Sequence, residues 1–156
     1  MKLKHVLVAL ALFFSAGTAY AGEYEDSCKE GCTPGYWKQA QHFGNWTPPY
    51  TPDTNLRDIF VTNPVSLIPD DTLLEALNYP GGPGVTGATQ ILLRAAVASL
   101  LNASSPDVSF PVSVGHVVDT TISRIETQYR PTILTRAAYF DSINNLGCPL
   151  ARAVVY

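Results

Sequence analysis

The sequence predicts a mainly α protein: a compact helical bundle with an irregular aromatic N-terminal segment clasped by a disulfide, and a short C-terminal tail or strand. Three observations carry this reading. Helical periodicity and caps recur from residue 70 onward; residues 22–69 are rich in Pro, Thr, Asn and aromatic rings and show no period; cysteines stand near both ends of residues 22–156.

The first residues, MKLKHVLVALALFFSAGTAYAG, place Lys2 and Lys4 before an apolar run from Val6 to Phe14 and small residues ending in Ala19-Tyr20-Ala21. That order is a secretory signal peptide cut after Ala21, and its apolar run is too short to span a bilayer. We therefore expect residues 1–21 to be removed and residues 22–156 to be one secreted domain. It divides into an aromatic segment (22–69), a helical core (70–147) and a tail (148–156). Cleavage would take two of the ten Lys+Arg and none of the thirteen Asp+Glu, moving the net charge from −3 to −5. A mildly acidic chain without a basic cluster argues against nucleic acid and anionic lipid as partners.

Within residues 22–69, turn signals at Thr33-Pro34-Gly35, Thr47-Pro48-Pro49 and Asn63-Pro64 leave room for one helical turn near Asn55 to Phe60. The stretch PDDTLLEALNYPGG then offers Asp70 or Asp71 as N-cap, a Thr72-x-x-Glu75 capping box and a stop at Pro80-Gly81-Gly82. Residues 86–106 form the strongest helix. Only Gln90, Arg94, Ser99 and Asn102 interrupt its apolar and small residues, and a helix apolar on nearly every side belongs inside a bundle.

Between residues 111 and 129, Val114, Val117 or Val118, Ile122, Ile125 and Tyr129 recur every three or four positions, as on an amphipathic helix. The many β-branched residues keep a strand as the alternative. The next stretch has Pro131 for a first turn and a face of Ile133, Leu134, Ala137, Ala138, Phe140 and Ile143. Gly147 takes a C′ position before Pro149. This helix delivers Cys148 to a fixed place. The tail LARAVVY is apolar and uncapped, either a last strand or an arm to a neighbouring subunit.

Export makes disulfides the default, and Cys28, Cys32 and Cys148 leave one thiol unpaired or bonded to another molecule. A Cys32–Cys148 bridge would close a loop of about 116 residues, for which the chain-entropy model gives roughly 4–5 kcal/mol, and is favoured. A Cys28–Cys32 bridge is sterically feasible and constrains far less chain. Haem attachment fails, because the spacing is Cys-x-x-x-Cys and Thr33 follows where histidine is required. Cys28, Cys32, His42 and Cys148 have the residue types of a Cys3His zinc site, but no Cys-x-x-Cys pair is present and oxidation favours the disulfide, so no metal or cofactor is expected.

The histidines beyond residue 21 are His42, which lies among rings, and His116, three residues before Asp119. Neither sits in a Gly-x-Ser-x-Gly, His-Glu-x-x-His or Cys-His protease signature, and Asp70-Asp71 reads as helix capping rather than a glycosidase pair. An enzyme is not expected, with a His116/Asp119 hydrolase the least favoured reading. The rings Tyr36, Trp37, Phe43, Trp46 and Tyr50 make either a small core beneath the disulfide or a saccharide-stacking platform, for which Tyr36, Trp37, His42 and Trp46 are the candidate ligand-binding residues. Asn45-Trp46-Thr47 and Asn102-Ala103-Ser104 match the glycosylation acceptor pattern.

Three blocks together resemble a family of exported bacterial and archaeal proteins of undefined activity: CTPGYWK at residues 32–38, LLRAAVASLLNA at 92–103 and NNLGCPL at 144–150. The resemblance spans about residues 32–150. It implies secretion or cell-surface display, with Cys32 bonded to Cys148, and it brings no catalytic residue. Where many relatives carry Asn-His after the lysine, Gln39-Ala40-Gln41 intervenes here before His42. The expected function is an extracellular or cell-surface structural protein, partnered with itself in a fibre or with matrix components; the alternative is a carbohydrate- or ligand-binding module.

Overall fold

A computed structural model describes residues 28–151. The expected signal peptide and residues 152–156 of the tail lie outside that range. The described chain is mainly helical, as its periodicity requires: α1 (Pro34–Trp37), α2 (Leu56–Ile59), α3 (Leu73–Leu77), α4 (Gly84–Ser104), α5 (Val114–Glu126) and α6 (Arg130–Asn144). Short 3-10 turns lie at Ala40–Asn45, Val65–Leu67 and Pro149–Ala151. Among the described residues there is no strand, only isolated bridges between Gly31 and Gly147 and between Asn55 and Thr72.

Helix α4 is the axle. Thirteen of its twenty-one residues are buried, around its whole circumference, and α1, α3, α5 and α6 all pack on it, α6 most extensively. By length and composition α4 could cross a membrane, but here the other helices cover its sides. Arg94, the charge that interrupts its apolar sequence, donates from Nη1 to the Tyr79 carbonyl at 2.7 Å and so holds the end of α3. The helix starts at Gly84, two residues before the expected point, where a φ of 69° favours glycine. Its first turn lies against the Pro80–Gly82 turn so closely that a Cβ on Gly87 would collide with the Gly82 backbone.

At α3 the expected Thr72/Glu75 capping box forms, and the expected aspartate N-cap does not. Thr72, not Asp70 or Asp71, is the N-cap: its Oγ1 accepts from the Glu75 amide at 3.2 Å while the Glu75 carboxylate accepts from the Thr72 amide at 2.7 Å. Only Thr72 stands three residues before a glutamate, the spacing reciprocal capping needs. These bonds hold the Glu75 carboxyl below its ordinary range. The two aspartates work elsewhere, Asp70 on Arg57 and Asn55, and Asp71 as acceptor for the Tyr79 hydroxyl at 2.6 Å.

Helix α5 settles the helix-or-strand alternative. Ser113 caps it, and Val117, Thr121 and Ile125 form the buried stripe, with Val114, Val118 and Ile122 half-buried beside it. Thr121 tolerates burial because its hydroxyl donates to the Val117 carbonyl at 2.7 Å. Tyr129 does not join the stripe: it is 61% exposed, at the N-cap of α6. Pro131 sits in the first turn of α6, whose Ile133, Ala137, Phe140 and Ile143 face the core while Leu134 is half-buried and Ala138 exposed. Gly147 lies one position later than expected, because Asn145 is the C-cap; its φ of 110° still favours glycine and turns the chain toward Cys148.

Burial first, then the bond to Asp71 and the charges of Asp71 and Glu75, push the Tyr79 phenol well above its ordinary 10.0. The folded chain therefore keeps a proton that the unfolded chain loses near pH 10, so this stabilisation is complete below about pH 10 and fades as pH rises beyond it. Urea denaturation from pH 8 to 11 should show stability falling in the parent and falling less steeply in Tyr79→Phe, which also loses about 1 kcal/mol at pH 8 with the Asp71 bond.

Candidate functional site

The two ends of the described chain meet at one place. Thr33 caps α1, its Oγ1 accepting from the Tyr36 amide at 3.3 Å, and Pro34 takes the first helical position. This short turn aims Tyr36 and Trp37 inward and leaves Lys38 and Gln39 outside. From the other side, α6 and Gly147 bring in Cys148. Cys32 and Cys148 form a disulfide across 116 residues of sequence, with Cα atoms 4.3 Å apart. Beside it the Gly31 amide donates to the Gly147 carbonyl at 3.0 Å. The chains lie so close that a Cβ on Gly31 would collide with the Ile143 carbonyl.

Behind the disulfide lies a fully bonded polar network. Asn102 of α4 is 0% exposed. Its Oδ1 accepts from the Cys32 amide at 2.8 Å and from the Trp37 indole at 3.1 Å; its Nδ2 donates to the Cys32 carbonyl at 2.8 Å and to Asn144 Oδ1 at 2.9 Å. Asn144 of α6, also 0% exposed, accepts a second bond from the Ser99 hydroxyl at 3.0 Å and donates to the Ala95 carbonyl at 2.9 Å. Four groups around Asn102 thus use all four of its hydrogen-bonding sites. Among the described residues, no fully buried side-chain polar atom lacks a partner.

Each sequence-predicted site residue can be placed on this frame. Trp37 is 0% and Trp46 7% exposed, and the Trp46 indole donates to the Trp37 carbonyl at 3.2 Å, so neither offers a ring face to solvent. Tyr36 meets Trp37 edge to face at 5.2 Å. His42, half-buried, stacks on Tyr36 with ring centroids 3.9 Å apart. The Tyr36 hydroxyl donates to the Leu150 carbonyl at 3.4 Å and accepts from Asn45 Nδ2 at 2.6 Å. Burial raises its pKa while the Asn45 bond works in the opposite direction. The two indoles therefore fill the space under the clasp, and the Tyr36/His42 pair borders an open depression, whose wall includes Gly147 and Cys148.

Cys28 is a free, exposed thiol. Because Cys32 and Cys148 are bonded to each other, the cysteine–histidine zinc set has lost two of its ligands, and among the described residues no three of His, Cys, Asp and Glu converge as a metal site. His116 is exposed on α5, and no hydrogen bond joins it to Asp119. The acceptor pattern at Asn102 is sealed, since its amide nitrogen lies inside the network, whereas Asn45 is exposed.

The sequence reading missed Asn102 and Asn144 as a pair. Their signal was present: one amide near the end of an otherwise apolar helix, and another in the Asn-Asn that closes α6. Chemically the arrangement fastens chain to chain. Comparison with family models, curated proteins and solved structures finds no match to this chain.

Asn102→Ala would strand the Cys32 amide and carbonyl, the Trp37 indole and half of Asn144. Since each buried orphan costs about 1–3 kcal/mol, the oxidised variant should lose at least about 3 kcal/mol in chemical denaturation, against less than about 0.5 for the exposed Asn145→Ala. Gly31→Ala should lose about 1–3 kcal/mol by overpacking at the crossing, measured the same way.

Proposed function

We propose that this protein is a secreted structural component of the cell surface or extracellular matrix, that it self-associates into a fibre, and that it is not an enzyme. The observation that carries this reading is the Cys32–Cys148 clasp. A structural disulfide belongs to an oxidising compartment, which agrees with the signal-peptide signature of residues 1–21. Both end motifs of the exported family that the chain resembles fall on the clasp, CTPGYWK supplying Cys32 and NNLGCPL supplying Cys148. A clasp of this kind suits a building block, because it holds one shape against mechanical and proteolytic opening while contributing no reactive group.

Association has two supports. The Cys28 thiol points outward, four residues before the clasp, where it is accessible to another molecule. Exposed Val61, Val65, Tyr129 and Leu146 provide apolar contact surface around the domain. The apolar end of the tail, residues 152–156, which lies outside the described residues, would act as the arm: a head-to-tail contact that does not close a ring grows into a filament. A saccharide module built on Trp37 and Trp46 is the less favoured reading, because both indoles would first have to leave the core.

Light scattering of the oxidised protein should show mass rising with concentration, and a non-reducing gel should show reducible dimers that Cys28→Ser removes. A strictly monomeric protein across the concentration range, unchanged by deletion of residues 152–156, contradicts the assembly reading.

A further inference from the structure

A half-enclosed cavity of about 310 Å³ opens between the first turns of α4, the end of α5 and the loop after the 3-10 turn at Val65–Leu67. It lies apart from the clasp and shares no lining residue with the depression beside it. Its polar lining is free to bond to a ligand. The side chains of Ser66, Thr86, Thr89, Gln90 and Gln128 make no hydrogen bond within the protein. Thr89 is the most telling: the residue is only 6% exposed, it lines the cavity, and its solvent-accessible hydroxyl has no protein partner. With no bond inside the protein, this hydroxyl keeps both its donor and its acceptor capacity for whatever enters the cavity. Thr121, at a comparable depth on α5, bonds back to its own helix; Thr89 does not.

The chemistry of the lining selects a ligand class. Hydroxyls and carboxamides each donate and accept, so they complement a molecule whose own groups do both. No carboxylate lines the cavity, which disfavours an amine. The one cation there, Arg57, gives Nε to the Ile68 carbonyl at 3.0 Å and pairs with Asp70 at 3.3 Å, which disfavours an anion. Apolar Ile68, Val85 and Ile125 supply a patch for C–H groups, and the volume falls at the lower end of small-molecule sites. Gln128 is the C′ residue of α5, where a φ of 47° ends the helix and places this residue in the cavity lining.

We propose that this cavity binds a neutral polyhydroxylated molecule of monosaccharide size, with the Thr89 hydroxyl at its floor and the Gln90 and Gln128 amides at its rim. This site is independent of the assembly reading and of the buried tryptophans.

The test is a ¹H–¹⁵N titration of the oxidised protein with glucose, with glycerol as a smaller polyol and sodium acetate as the charged control. Glucose should produce saturable shifts confined to residues 66–69, 85–90 and 125–128, with glycerol weaker and acetate without effect. Thr89→Val and Gln128→Gly should each weaken glucose binding roughly five- to tenfold, the worth of about one hydrogen bond. Gln128→Gly should fold at least as stably as the parent, because glycine relieves the left-handed strain, so it keeps the test valid if Thr89→Val is impaired. The proposal is overturned if neither polyol gives saturable shifts, if acetate saturates in their place, or if Gln128→Gly binds glucose as tightly as the parent.

Discussion

The structure depends on one buried amide. Asn102 stands near the end of a helix covered on every side, where an unpaired polar group would be costly, and the chain can bury it only by bringing four specific partners to it. Two of those partners are the amide and carbonyl of Cys32, backbone groups that no helix or strand supplies with bonds. A third is the Trp37 indole, which fixes α1, and a fourth is Asn144, which fixes the end of α6. One side chain thereby sets the positions of the N-terminal segment, the central helix and the last helix. Apolar packing alone would tolerate small slips of these elements; the hydrogen bonds do not.

The disulfide and the amide network act on different states of the chain. Closing a loop of this length restricts the unfolded ensemble, by roughly 4–5 kcal/mol in the chain-entropy account, and does little to choose among compact arrangements. The network acts within the folded state and makes the choice. Because Asn102 holds Cys32 and Asn144 stands four residues before Cys148, the two sulfurs are brought together by groups that are not themselves redox-active. The aromatic rings complete the arrangement: Trp37 and Trp46 bury the segment that carries Cys32, and the Tyr36 hydroxyl reaches over to Leu150 beyond Cys148. Gly31 lets the two strands of the clasp approach where any Cβ would intrude.

Much of the fold was legible because it rests on local signals. The three long helices follow from apolar spacing, and the Thr72/Glu75 box and Pro131 mark two of the starts. The misses have a common cause. Asp70 and Asp71 are good caps by residue type, but which residue caps is decided by its distance from Glu75. Tyr129 continues the spacing of α5, but the helix stops at Glu126 and the tyrosine turns outward. Asn102 read as one polar interruption and as a glycosylation acceptor, since its meaning lies in residues 70 positions before it and 42 after it. Periodicity records which face is buried and says nothing about what a buried polar group meets there. The polar cavity was illegible for the same reason: Thr89, Gln90 and Gln128 come together only when α4 and α5 pack.

A domain fastened in this way keeps the segment around Cys32 as firmly in place as its central helix. Native-state hydrogen exchange of the Cys32 amide in the oxidised protein tests that claim most directly. If Asn102 sets the frame, this amide, although it lies outside any helix or strand, exchanges only through global unfolding and matches the protection of Leu100 in the middle of the core. Exchange on the fast timescale of exposed loop amides, with Leu100 still protected, would show that the N-terminal segment opens by itself and that the amide network does not govern the fold.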